Sequence, residues 1–244
     1  RTLIARIEAF VTKFVRSSSS AAVRAGFCGF SMDNLTSQPA HLRLAIAPGV
    51  SSSQLSVLLA LQRAEEPEVS IAFFEVAGDE LLDGLREGRY DVGLSLQGSS
   101  DPAIQTQPLW IEHMAVAMPL RFPLLDQASL TIADLQDYPI FRWRAETCSL
   151  LDHRLLSHLP ADQQNLQYVT SFELMALWVS AGYGVGLSAQ SRIKHAHGWG
   201  ISMRALDDGP YEIVTHLHRP QGQANSVSER FERRALQIAK SVTS

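Results

Sequence analysis

Two periods of apolar and polar positions alternate along residues 41–120. HLRLAIAP has the two-residue period of a strand, and SSQLSVLLALQRAEEP repeats apolar residues at helical spacing. The order then continues as a strand, a short helix closed by Gly88, and a strand: VSIAFFEV, GDELLDGLREGRY and DVGLSL. Strands and helices that alternate through short connections predict a parallel sheet with right-handed crossovers.

A second alternation begins at residue 138, after two intervening segments. QPLWIEHMAVAMP predicts one or two strands, and TIADLQDYP predicts a capped turn with Thr131 as N-cap and Asp134 at the third position. Strand, helix, strand, helix and strand follow: YPIFRW, TCSLLDHRLLSHL, NLQYVT, SFELMALWVSAG and YGVGLSAQ. Ser171 is expected to cap the second of these helices and Gly182 to end it. A strand YEIVTHLHRP and a helix SVSERFERRALQIAKS close the chain and favour a return to the first unit.

The first 40 residues have a different pattern. Apolar residues at Leu3, Ile7, Phe10 and Phe14 form a helical stripe of coiled-coil type in residues 1–16. A helix this short needs a partner, which is either the rest of the chain or a second copy. Residues 17–40 are rich in Ser, Gly and small side chains, which is typical of a linker.

Composition narrows the class of protein. The 244 residues are 45% hydrophobic and 19% charged with a net charge of −4, which is ordinary for a globular chain and offers no basic excess to neutralise nucleic-acid phosphates. Cys28 and Cys148 have no metal-binding or redox spacing, so free thiols in a reducing compartment are expected. No apolar run reaches the length of a membrane span, and the charged start does not have the apolar core of a signal peptide. We therefore expect a cytoplasmic protein.

Three long stretches resemble one known family. HLRLAIAPGVSSSQLSVLLALQRAEEPEVSIAFFEVAGDELLDGLREGRYDVGLSL is similar to the first half of the effector-binding domain of LysR-type transcriptional regulators. QPLWIEHMAVAMPLRFPLLDQASLTIADLQDYPIFRW resembles its crossover segment, and VTSFELMALWVSAGYGVGLSA resembles a signature helix and strand of the second half. The pieces occur in the family's order and cover about residues 41–244.

The resemblance implies an α/β fold of the type II periplasmic-binding-protein kind, with two Rossmann-like subdomains. Residues 41–120 plus 217–244 would form subdomain I, residues 121–216 subdomain II, residues 1–16 a dimerising linker helix and residues 17–40 a linker. The implied protein is a homodimer or tetramer that senses a small-molecule effector in the inter-subdomain cleft. It would contact DNA only through a winged helix-turn-helix, and no segment of the printed sequence resembles one.

Helix starts at the carboxyl ends of strands suggest where the effector binds, because ligands of open α/β sheets collect there and helix N-termini attract anions. One corner follows the first strand, and the other precedes the helix FELMALWVSAG; their residues are Gly49, Val50, Ser51, Ser52 and Ser53, and Thr170, Ser171 and Phe172. Each corner is open to two interpretations, plain helix capping or one wall of an effector pocket. The resemblance favours the pocket, because both corners line it in the family.

Other candidates for ligand binding follow the remaining strands: Gln97, Gly98, Arg144, Glu146, Thr147 and Ser188. Arg142 or Arg144 could pair with an acidic effector in a bidentate way, the alternative being a solvated loop charge. Hydroxyl groups near an arginine favour a small carboxylate, and Trp143, Phe172 and Tyr183 favour an aromatic one. Ser188 and Ala189 stand where the family usually has Leu-Pro, which puts the local loop shape in doubt.

Functions of other classes have weaker support. The HxH pairs His195/His197 and His216/His218 lack a third metal ligand at diagnostic spacing, and no GxSxG or HExxH motif occurs, so we expect no metal, no cofactor and no enzyme. A transporter's solute-binding protein would share the fold, and a regulator homologue without a DNA-binding domain would act through protein pairing. Leu58, Leu61 and Trp178 on two apolar helices are either core residues or part of a dimer interface.

Overall fold

The computed structural model describes residues 40–158, 165–222 and 226–242. The predicted helix at 1–16, the linker at 17–40 up to residue 39, and Cys28 lie outside these ranges. The helices are α1 (Ser52–Glu65), α2 (Gly78–Arg86), α3 (Ser149–His158), α4 (Phe172–Ser180), α5 (Gln190–His195) and α6 (Ser226–Val242). The strands are β1 (His41–Ile46), β2 (Ser70–Glu75), β3 (Val92–Ser95), β4 (Ile104–Pro119), β5 (Ser129–Leu130), β6 (Ile140–Trp143), β7 (Leu166–Val169), β8 (Val185–Ala189), β9 (Ile201–Leu206) and β10 (Glu212–Pro220).

The strands hydrogen-bond in the order β2-β1-β3-β10-β4-β8-β6-β7, and β9 joins β4 to β5. β1 is parallel to β2 and β3, while β6 is parallel to β7 and β8, as the alternation of strands and helices predicts. The carboxyl ends of these parallel strands lie on one edge of each group. The strands β2, β1, β3 and β10 with α1, α2 and α6 are called the first lobe here, and β5 to β9 with α3, α4 and α5 the second lobe.

The long strand β4 connects the lobes. Its residues up to His113 pair with β10, and from Met114 onward it pairs with β8 on one side and, from Ala115, with β9 on the other. Hydrogen-bonding partners therefore change between His113 and Met114, a few residues before the predicted boundary at 120/121. The returning strand β10 begins at Glu212, a few residues before the predicted boundary at 216/217. The chain therefore passes from the first lobe to the second within β4 and returns to the first lobe at β10.

Each lobe has its own apolar core. In the first lobe Phe231, Ala235 and Ile238 recur on one face of α6 and pack with Leu58 and Leu61 of α1, all at most 8% exposed. Both leucines, for which the sequence left core or interface open, thus belong to the core. Trp178 on α4 is half-buried, and its ring packs against Phe141 with centroids 5.2 Å apart. In the second lobe two apolar clusters cover the two faces of the sheet.

Several predicted helix ends are present with the expected chemistry. Ser171 accepts a hydrogen bond from the backbone N–H of Leu174, and Gly182 follows α4 at φ 86°. Thr131 and Asp134 form the predicted capping box around a short 3₁₀ segment. Gly88 follows α2 with φ 69°. The sequence pattern did not predict α5, β5 or β9, which are short or lack a clear period.

Candidate functional site

A cavity of about 470 Å³ lies between the lobes, at the carboxyl ends of the parallel strands. Residues after β1 and β3 and the start of α2 form its first-lobe wall, and the ends of β6 and β7 form its second-lobe wall. The lining residues are Ala47, Pro48, Ala77, Gly78, Ser95, Leu96, Gln97, Trp143, Arg144, Ala145, Thr147, Tyr168, Val169 and Thr170. This is the location at which open α/β sheets bind small ligands, and the volume suits one.

Arg144 is the one charged residue in that lining. Its guanidinium lies over the ring of Tyr168, 5.1 Å from the ring centroid, and its backbone N–H donates to the carbonyl of Val169 at 3.2 Å. In the described part of the chain no carboxylate forms an ion pair with it. The cavity therefore presents one positive charge without an acidic counterpart in its wall, an arrangement that favours an anionic ligand.

Two aromatic rings give the cavity flat apolar walls. Tyr168 lies beneath Arg144, and Trp143 is held by a hydrogen bond of 2.9 Å from its Nε1 to the carbonyl of Thr170. Neither ring is fully buried. Thr147, Thr170 and Gln97 add polar groups around them. Rings in the wall together with one cation suit a ligand that combines an apolar ring with an anion.

A buried polar contact supports the floor of the cavity at Ser95. The Ser95 hydroxyl donates to the carbonyl of Gln97 at 2.9 Å and lies 2.9 Å from His218 Nε2. A hydroxyl has one proton, so Nε2 of His218 donates to Ser95 and Nδ1 accepts from Thr106, 3.1 Å away. Burial and the neighbouring His216 lower the pKa of His218 to about 4, which keeps the ring neutral.

Beneath the second-lobe wall, Glu146 is fully buried. Arg192 Nε donates to one carboxylate oxygen at 2.7 Å, and the Ser188 hydroxyl donates to the other at 2.5 Å. Burial raises the pKa of the Glu146 carboxyl above its ordinary range, although Arg192 and Ser188 oppose the shift. Glu146 and Ser188, both predicted to contact a ligand, thus bind each other and lie outside the lining of this cavity.

The first predicted corner, Gly49 to Ser53, does not line this cavity. Ser51 is the N-cap of α1, but its side chain is 1% exposed and makes no capping hydrogen bond; its hydroxyl lies 3.1 Å from that of Ser53, which donates to Gln54. Gly49 and Val50 line an adjoining cavity of about 420 Å³ that shares Ala47, Pro48 and Trp143 with the first.

The three residues of the second predicted corner have different surroundings. Thr170 lines the cavity, Ser171 caps α4, and Phe172 is 3% exposed in the core of the second lobe. Of the other candidates, Gln97, Arg144 and Thr147 line the cavity, whereas Gly98 lies beside the His216 ring. Trp143 is a lining residue and Tyr183 is exposed away from it.

Burial distinguishes the two arginines proposed from the sequence. Arg142 is 1% exposed, donates to the carbonyl of Glu146 at 2.9 Å and pairs with Asp152 at 2.8 Å. It therefore supports the loop from beneath, and Arg144 is the arginine at the cavity. Among the polar and aromatic residues of the lining, the sequence pattern did not single out Tyr168 and Ser95, nor did it single out Arg192, which lines the adjoining cavity. Tyr168 and Ser95 lie at the ends of strands, and this position could have identified them from the sequence. Nothing in the sequence pattern pointed to Arg192.

The two histidine pairs lie in different surroundings. Among the described residues no group of three or more His, Cys, Asp or Glu side chains is placed to hold a metal ion. His195 and His197 are exposed, while His216 and His218 stack with centroids 6.2 Å apart. No helix within the described ranges is long and apolar enough to cross a membrane.

Comparison with known proteins identifies relatives of this chain. The sequence profile of the LysR substrate binding domain matches residues 37–237. The HTH-type transcriptional regulator AlsR of Bacillus subtilis (strain 168) is 25% identical over 148 residues, which cover 59% of this chain and 49% of AlsR. The chain spans half or less of the length of the curated relatives it matches.

Two solved structures show the same fold. The BenM effector binding domain with its effector benzoate has a TM-score of 0.74 at 20% identity, with coverage of 84% of this chain and 94% of that one. The effector binding domain of QuiR in complex with shikimate has a TM-score of 0.70 at 18% identity, with coverage of 83% and 98%. The predicted type II periplasmic-binding-protein-like α/β fold is confirmed. The chain belongs to the family of LysR substrate-binding domains.

Proposed function

We propose that the chain is the ligand-sensing region of a LysR-type transcriptional regulator, and that the cavity between its lobes binds a small cyclic carboxylate. Arg144 would bind the carboxylate, with Thr147, Thr170 and Gln97 as polar neighbours. Trp143 and Tyr168 would contact the ring. The role is binding without chemical conversion of the effector.

The observation that carries this proposal is the unpaired charge of Arg144 in a wall that has no acidic residue. A guanidinium already stacked on Tyr168 keeps its hydrogen-bonding edge available and loses little side-chain freedom when a carboxylate binds. Benzoate and shikimate, the ligands of two relatives with this fold, each carry a ring and a carboxylate and agree with that chemistry.

The proposed mechanism is a shift between lobe orientations. A ligand that touches both walls binds best at one angle between the lobes, so it stabilises that angle by its differential affinity. A coupling of about 1–3 kcal/mol is enough for a regulatory switch. In the full-length regulator, the angle would bias the assembly of a homodimer or tetramer and thereby DNA binding through a winged helix-turn-helix, in the cytoplasm.

Calorimetric titration with benzoate, shikimate and the uncharged analogue benzamide tests the effector class. A charge-assisted hydrogen bond contributes about 1.5–3 kcal/mol, so Arg144→Gln should weaken binding of an acid by about 10- to 100-fold. Arg121→Gln changes an exposed arginine of the second lobe that does not line the cavity and is the matched control. The proposal fails if benzamide binds as tightly as benzoate, if Arg144→Gln and Arg121→Gln bind an acid equally well, or if none of the three compounds binds.

Self-association is tested separately by light scattering after size-exclusion chromatography. The apolar positions Val57 on α1 and Leu177 on α4 are 37% and 60% exposed, so these two helices offer faces for antiparallel pairing of the first lobe with the second lobe of another copy. A dimer mass is expected, and Leu177→Glu should lower it. A monomer at high protein concentration would contradict the dimer and favour a solute-binding protein.

A further inference from the structure

One side chain of the second lobe crosses to the backbone of the first. Arg192, on α5, donates from Nη2 to the carbonyl of Gly49 at 3.1 Å and lies 3.4 Å from the carbonyl of Val50. Those carbonyls belong to the turn between β1 and α1. The same guanidinium uses Nε for the buried carboxylate of Glu146. Arg192 therefore bonds to both lobes at once.

The second-lobe end of this contact is rigidly held. Glu146 is fully buried, its other oxygen accepts from the Ser188 hydroxyl and from the backbone N–H of Ala189 at 3.3 Å, and its own carbonyl accepts from Arg142. A buried carboxylate with all these partners has one orientation, so it fixes the position of the arginine. The geometry of the crossing contact is thus set by the core of the second lobe.

The loop held in this way is the one that lines the cavity. Trp143, Arg144, Ala145 and Thr147 all lie in the cavity wall, and Glu146 is the buried residue between them. The Arg192 guanidinium also stacks on the face of the Trp143 ring, 4.7 Å from its centroid. Arg192 itself is absent from the lining of the 470 Å³ cavity and lines instead the adjoining cavity of about 420 Å³. Its contacts reach the cavity through Glu146 and Trp143.

We propose that Arg192 is a positioning residue of the effector cavity, which bridges the lobes and holds the 143–147 loop against the start of α1 at the angle that the effector recognises. Its effect on effector affinity rests on the function proposed above, while its effect on the lobe angle does not. A residue that served only the stability of the second lobe would not need bonds to Gly49 and Val50.

The lobe angle can be measured without a ligand by the distance between two nitroxide labels. Glu68 in the first lobe and Asp137 in the second are exposed and suit replacement by cysteine, in a chain with Cys28→Ser and Cys148→Ala. We compare Arg192→Met/Glu146→Gln, which removes the bridge without leaving a buried charge, with the parent chain. Arg204→Met is the matched control, because Arg204 donates to the carbonyls of Gln127 and Leu125 within the second lobe.

The expected result is a broadened and shifted label distance in Arg192→Met/Glu146→Gln, with Arg204→Met unchanged from the parent. Circular dichroism checks that each variant is folded. Arg192→Lys keeps the charge but lacks the planar guanidinium that donates to two acceptors at once, so a smaller broadening of the label distance is expected. This variant provides the test if the double variant does not fold. Label distances that coincide in the parent, Arg192→Lys and every folded variant overturn the proposal.

Affinity is the second readout, with benzoate as the probe. The double variant should bind benzoate about tenfold more weakly than the parent, while Arg204→Met should bind it equally well. A broadened lobe distance with unchanged benzoate affinity contradicts the positioning role. If the parent binds neither benzoate nor shikimate, the proposed function fails, and the label distances still decide whether Arg192 bridges the lobes.

Discussion

Replacement of Gly49 by alanine tests the close approach of the two lobes. Gly49 has φ 93°, a conformation that L side chains rarely adopt, and an added Cβ would lie 2.8 Å from the carbonyl oxygen of Ala145 and 2.9 Å from Leu96 Cδ1. Backbone strain of this kind costs about 1–3 kcal/mol, and overpacking adds about 1–3 kcal/mol. We expect Gly49→Ala to lower the free energy of unfolding by about 2–6 kcal/mol in total.

Gly182 provides the matched control for this substitution. Its φ of 86° is similar, but no atom lies within 4 Å of an added Cβ. Gly182→Ala therefore measures the strain alone, and the difference between the variants measures the contacts with Ala145 of the second lobe and Leu96 of the first. At about 2–4 °C per kcal/mol, the melting temperature of Gly49→Ala should be about 2–12 °C below that of Gly182→Ala.

Scanning calorimetry and urea denaturation provide the two stability measurements, and benzoate titration follows if the parent binds it. An alanine at residue 49 presses on the backbone of the loop that lines the cavity, so its benzoate affinity should fall as well. Equal losses of stability in Gly49→Ala and Gly182→Ala would refute the reasoning, because they would mean that Gly49 faces free space.

Three further predictions concern stability. Burial raises the pKa of the Glu66 carboxyl, but hydrogen bonds from Arg234, Gln62 and Arg230 outweigh burial and lower this pKa to about 2. The ionised carboxylate therefore stabilises the fold by about 3 kcal/mol above its unfolded pKa near 4.5, and this stabilisation is lost as the pH falls toward 2. In urea denaturation, the stability of Glu66→Gln should depend less on pH in this window. The pKa of His218 is about 4 against an ordinary 6.5, so the fold favours the neutral ring. Its contribution to stability is complete above pH 6.5 and falls as the pH drops toward 4. His218→Gln should reduce the dependence of the free energy of unfolding on pH in this range, and an unchanged dependence would count against a buried neutral ring. Leu58→Ala should cost about 2–5 kcal/mol at a fully buried position, whereas Leu177→Ala at 60% exposure should cost far less in the monomer; equal costs would contradict the core packing of α1.

Elements with a strong period were predictable from the sequence. The helix α4 has both its cap at Ser171 and its terminating glycine at 182, the strand β1 alternates apolar and polar residues, and β3 and β6 are short, mainly apolar segments next to turn residues. The helix α5 has six residues, too few for a visible stripe. Most residues of β9 are half-buried, so its sequence shows no alternation. Both elements depend on packing against β4, which the local sequence does not reveal.

The site was predictable only as far as strand ends identify it. Gln97, Arg144, Thr147 and Thr170 all follow strands, and all line the cavity. The three serines after Gly49 suggested an anion site, but Ser51 is 1% exposed, and the Gly49 carbonyl accepts from Arg192, 143 residues further along the chain. Periodicity carries no information about such a contact.

The central claim is that an organic anion binds between the lobes at Arg144, and a crystal structure with a bound ligand tests it most directly. Crystals would be grown with whichever of benzoate or shikimate binds more tightly in solution. The account predicts a carboxylate within hydrogen-bonding distance of the Arg144 guanidinium, with its ring between Trp143 and Tyr168. A ligand bound elsewhere, or one in this cavity with its carboxylate directed away from Arg144, would contradict it.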